Sequence, residues 1–98
     1  MVKYGFILQD EGFSVPQTQL MECPGLEMKI VGVNAFPEAC RQAKILVEDG
    51  IDFIELCGAF EEGHCQEIID AVDGKVPVGY VTYSEAEAEK FAKLFPEG

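Results

Sequence analysis

Four short apolar runs limit what this chain can fold into. They are Tyr4-Gly5-Phe6-Ile7-Leu8, Met28-Lys29-Ile30-Val31-Gly32-Val33, Phe53-Ile54-Glu55-Leu56-Cys57 and Val76-Pro77-Val78-Gly79-Tyr80-Val81. Each is rich in β-branched and aromatic side chains and stops close to turn-forming or polar residues, as strands do. Near-continuous apolar strands of this kind suit a parallel sheet buried on both faces. Pro77 gives up a ladder donor at the start of the fourth run, which points to an edge strand.

The segments between these runs have helical period. Ala39, Cys40, Ala43, Leu46 and Val47 share one face, with Pro37 suited to the first turn and Gly50 to the stop. Cys65, Ile68, Ile69 and Val72 repeat the spacing before Gly74. Ser84 with Glu87 has the form of a capping box opening a last helix, whose apolar positions are Ala88, Phe91, Leu94 and Phe95. Ser14-Val15-Pro16-Gln17 has the same form, and Pro24-Gly25 would stop a helix, so a short helix is expected from Pro16 to Glu22. The resulting order, β-α-β-α-β-α-β-α, implies parallel strands joined by right-handed crossovers. The expected fold is one α/β domain over residues 1–98. It has a four-stranded parallel sheet in order 2-1-3-4 with helices on both faces, a shortened flavodoxin-like or Rossmann-like sandwich. A ferredoxin-like arrangement fits less well, because no pair of runs is joined by a recognisable tight hairpin turn.

Charge narrows the partners. With 18 acidic and 7 basic residues the formal charge is −11. Nucleic acid is excluded, because phosphate binding needs a basic patch that releases counterions. An anionic membrane surface is disfavoured for the same reason, and no apolar run approaches the roughly 18 residues of a membrane span. The opening Met1-Val2-Lys3-Tyr4 lacks a signal-peptide pattern, so a cytoplasmic setting with reduced thiols is expected for Cys23, Cys40, Cys57 and Cys65. Cys40 and Cys65 lie on apolar helix faces and read as small buried hydrophobes.

Ligands of open α/β sheets bind beyond the carboxyl ends of the strands. The residues expected there are Gln9 and Asp10 after the first run, Asn34 after the second, Gly58, Phe60 and Gly63 after the third, and Thr82 after the fourth. The loop Gly58 to Gly63 precedes a helix, but Glu61 and Glu62 already complement the helix dipole, which favours a capping role over an anion site. No G-x-G-x-x-G and no Walker A pattern occurs, so no cofactor is assigned. Glu55 stands inside an apolar strand. A buried carboxylate there needs a donor, a proton, or a strand face that opens to a pocket or interface. Alternation along the strand puts Glu55 and Cys57 on one face, and His64 opens the next helix. Glu55, Cys57 and His64 could therefore form a thiol–carboxylate catalytic site, with Cys57 as nucleophile and His64 as base. Each also has a plain structural reading. Cys57, His64 and Cys65 match no common zinc spacing, so no metal is expected.

The stretches Ile54-Glu55-Leu56-Cys57-Gly58-Ala59-Phe60 and Gly74-Lys75-Val76-Pro77-Val78-Gly79 resemble the signature of a small prokaryotic family known as domain of unknown function 6506. Pro24-Gly25-Leu26-Glu27, with the following Val31-Gly32-Val33, is similar too. The resemblance covers residues 2 to 82 and sets the helix after Tyr83 apart. It implies a compact α/β domain of about this length, with no reaction or substrate. The sequence thus supports a small domain that binds a ligand at the carboxyl edge of the sheet, forms a homo-oligomer (a dimer by preference), or both. The alternatives are the thiol enzyme and an acidic module that docks a basic protein.

Overall fold

The computed structural model describes residues 1–14 and 16–95. The elements are β1 (Val2–Gln9), β2 (Gln17–Cys23), β3 (Leu26–Val33), α1 (Phe36–Glu48), β4 (Phe53–Leu56), α2 (Glu62–Ala71), β5 (Val78–Tyr80) and α3 (Glu85–Ala92). They build one five-stranded sheet in order β2-β3-β1-β4-β5. The four runs read from the sequence are β3, β1, β4 and β5. They are mutually parallel and stand in the expected relative order. Pro77 immediately precedes β5, which is an edge strand.

Two expectations are corrected. Pro16 to Glu22 is not a helix. Gln17–Cys23 is a fifth strand, antiparallel to β3 and exposed along its whole length. Pro24-Gly25 stops no helix but makes the two-residue hairpin turn between Cys23 and Leu26, which are register partners. Gly25 has φ of +88°. The ring of Pro24 fixes its own φ near −65°, so the pair supplies the two conformations that a type II turn requires. The sequence gives this tight hairpin no local mark, because Gln17–Cys23 lacks the continuous apolar character of the other strands.

The second correction concerns layering. The expected helices on both faces are replaced by helices on one. The step from β3 to β4 and the step from β4 to β5 run the same way across the sheet, so right-handed crossovers deposit α1 and α2 on the same side. The connection from β1 to β3 is the antiparallel strand β2 rather than a helix, and it leaves the other side bare. Ile7, Val31, Val33, Ile54 and Leu56 face the helices and join Ala39, Ala43, Leu46, Ile68 and Val72 in one buried apolar cluster. Register places Tyr4, Phe6 and Leu8 of β1 on the opposite face, with Met28 and Ile30 of β3 and with Phe53 and Glu55 of β4. Phe13 folds back over Gly32 of this face. A Cβ on Gly32 would lie 2.7 Å from the Phe13 ring.

The helices follow their sequence signals closely. Pro37 lies in the first turn of α1. Ser84 is the N-cap residue of α3, but its hydroxyl makes no capping bond, and Glu87 pairs with Lys90 at 2.8 Å instead.

Two substitutions separate the core from the hairpin. Leu46→Ala, at a side chain 2% exposed, should cost about 2–5 kcal/mol of unfolding free energy. Gly25→Ala, which forces a side chain to positive φ, should cost roughly 1 kcal/mol. Urea titration followed by circular dichroism measures both. Equal losses would contradict the assignment of the core to the face covered by α1.

Candidate functional site

The C-terminal ends of β1 and β4 are neighbours, because Tyr4 to Ile7 pair in parallel with Phe53 to Leu56. The chain beyond them forms a common rim. Asp10 closes the first rim loop as an Asx turn: its Oδ2 accepts from the Gly12 N–H at 2.8 Å, and its carbonyl accepts from the Phe13 N–H. On the β4 side the Cys57 carbonyl accepts from the Phe60 N–H, and the Cys57 Sγ lies 3.5 Å from the Ala59 N–H. Between these loops and α3 opens a cleft of about 630 Å³, bounded by Gln9, Asp10, Cys57, Gly58, Ala59 and Glu61 on the strand side. Tyr83, Phe91 and Phe95 form the other wall. Their rings contact in series, with centroids 4.7 Å apart for Tyr83–Phe91 and 5.1 Å for Phe91–Phe95. This wall stands directly over Gly58, where a Cβ would meet the Tyr83 ring at 3.4 Å, an ordinary van der Waals contact. Gln9 Oε1 is buried and has no hydrogen-bond partner among the described residues.

Four of the residues picked from the sequence therefore meet at one cleft: Gln9, Asp10, Cys57 and Gly58. The others do not line it. Asn34, Gly63 and Thr82 are exposed. Phe60 is 3% exposed and belongs to the core, with its ring near Phe36 and His64. His64 Nδ1 accepts from the Glu61 N–H at 3.0 Å, and its ring packs against Phe36 at 4.7 Å between centroids. It thus completes the first turn of α2. Glu55 accepts a hydrogen bond from the Tyr4 hydroxyl on the uncovered face of the sheet. Tyr4 is itself stacked on Phe53, with centroids 4.6 Å apart and planes at 12°. Cys65 Sγ lies 3.6 Å from the Val78 carbonyl, and burial pushes its thiol pKa up. Burial also raises Cys40, helped by the charge of Glu67.

Phe91 and Phe95 were missed as site residues. Their i, i+4 spacing was visible, but it reads equally well as packing for α3, and nothing local to a helix says which sheet edge it will meet.

The Tyr4–Glu55 pair has a pH signature. Desolvation first, then the hydrogen bond to Glu55 and its negative charge, push the Tyr4 pKa up from 10.0 to about 12. The folded state therefore holds this proton more tightly than the unfolded chain. The stabilisation is complete below the unfolded pKa and is lost as pH rises through the interval between the two values. Tyr4→Phe should lower stability near pH 7 by about 1 kcal/mol. It should also flatten the fall in urea midpoint expected of the wild type on going from pH 9.5 toward 12. Parallel pH profiles for the two proteins would show that the hydroxyl contributes nothing.

Among the described residues no helix is long and apolar enough to cross a membrane. No three His, Cys, Asp or Glu side chains among them group as metal ligands. No curated protein and no solved structure matches the chain. One family model does match, over residues 2–96, and so takes in α3, which the sequence resemblance had set apart. The chain belongs to DUF6506, a family of unknown function.

Proposed function

We propose that this chain is a small binding domain whose ligand occupies the cleft above β1 and β4. The ligand we infer is a small molecule that carries an N–H donor, preferably cationic, on a flat apolar body. One observation carries the reading: Gln9, which borders the cleft, holds a buried carbonyl oxygen with no hydrogen-bond partner among the described residues. An unmet buried acceptor costs about 1–3 kcal/mol, which a donor on the ligand would recover once the Gln9 side chain turns its oxygen into the cleft. The opposite wall of Tyr83, Phe91 and Phe95 offers ring faces to a planar group. Asp10 and Glu61 at the margin favour positive over negative charge. The cleft volume, about 630 Å³, is within the range of small-molecule sites.

Covalent chemistry at Cys57 with Glu55 and His64 as proton-handling partners has less support. Glu55 Oε1 is taken by Tyr4, and His64 Nδ1 by the Glu61 N–H. The Cys57 thiol is better used as a reporter, since it lines the cleft.

Tryptamine is a suitable probe, with indole-3-acetate as its anionic counterpart. Saturating tryptamine should slow iodoacetamide alkylation of Cys57 by at least about threefold and leave the exposed Cys23 unaffected. Indole-3-acetate should protect far less. Gln9→Leu and Phe91→Ala should each weaken tryptamine binding by about tenfold in calorimetry. Equal protection by the amine and the acid, or wild-type affinity in both variants, would overturn the reading.

A further inference from the structure

The face of the sheet opposite α1 and α2 has no helix packed on it. Its apolar strand residues are Val2, Tyr4, Phe6 and Leu8 on β1, Leu26, Met28 and Ile30 on β3, Met21 on β2 and Phe53 on β4, while β2 also contributes Gln17 and Gln19. Met21 is 65% exposed and Val2 47%. Among the described strand residues on this side Glu55 is the only acid, in a chain that has 18. That carboxylate already accepts the Tyr4 hydroxyl hydrogen bond.

We propose that this face is the interface of a two-fold homodimer, with the two sheets packed back to back. Area supports a second copy as the occupant. Five strands spaced about 4.8 Å apart, with a mean length near 20 Å, outline roughly 500 Å². Apart from Gln17 and Gln19 of β2 and Glu55 of β4 the patch is apolar, and its size is at the upper end of what monomers expose. Apposing two of them removes roughly 1,000 Å² from water, which reaches the lower bound for a specific interface. Sheets pack face to face about 10 Å apart with interdigitated side chains, so mixed Met, Ile, Tyr and Phe residues can mesh with their own copy. Charge points the same way. Two chains of formal charge −11 repel in most orientations, and they do so least where the strands carry a single, already hydrogen-bonded acid. A two-fold axis makes the contact self-complementary and closed. The proposal is independent of the cleft, which lies at the carboxyl rim.

Analytical ultracentrifugation of the whole chain tests it. The wild type should sediment at twice the 10.8 kDa chain mass, with dissociation below roughly 10 µM. Met21 and Met28 are cross-strand partners on this face. The M21K/M28K variant should weaken the dimer by at least about 100-fold, because four lysines would meet across the axis. Leu20→Lys places the same charge on β2 but on its other side, and should leave the dimer intact. Should the double variant lose its circular dichroism signal, M21K alone, at an exposed position, decides. A wild type that stays monomeric at roughly 50 µM overturns the proposal. So does a dimer that L20K breaks and M21K does not, which would place the contact at the β2 edge or on the helical side.

Discussion

Right-handed crossovers from β3 to β4 and from β4 to β5 put α1 and α2 on one side of the sheet. The core therefore lies between that side and the two helices, and Ile7, Ile54, Leu56 and Ile68 are fully buried there. A doubly wound sheet would return one crossover in the opposite direction and cover the second side. Here the corresponding connection is β2, a strand that adds an edge without adding a layer. The bare side, its aromatic residues and the Tyr4–Glu55 pair all follow from this one substitution of a strand for a helix.

The same topology fixes the rim. Four parallel strands bring their carboxyl ends to one edge, and the loops after β1 and β4 stand side by side there. The last helix and the residues leading into it then lie against Gly58 through Phe91 and Tyr83 and close a cleft that the strand ends alone would leave open. Position on the rim and shelter by α3 are separate conditions. Gln9 and Cys57 meet both, whereas Asn34 and Thr82 remain exposed.

Glu55 shows where reading along the chain stops. Its place in an apolar strand signals that a donor must exist or that its side of the sheet is open, and both hold. The donor is Tyr4, 51 residues away. Nothing near Glu55 could name it, because the register between β1 and β4 is set by packing against α1 and α2. His64 is the converse case. Its partner, the Glu61 N–H, is three residues away, and a role in the first turn of α2 is the local reading. Pro24-Gly25 was visible too, but the dipeptide suits both a helix end and a hairpin. What separates them is whether the preceding segment finds a strand to pair with.

The sequence by itself determined four strands, their relative order, the three helices and the edge where the strands end. These depend on local periodicity and on the handedness of the chain, which short segments carry. Tertiary structure alone decided that Gln17–Cys23 is a strand, that one side of the sheet stays bare, which tyrosine holds Glu55, and that Phe91 and Phe95 wall a cleft. Those outcomes depend on which distant surfaces meet, and apolar contact is non-directional, so no residue encodes its own partner.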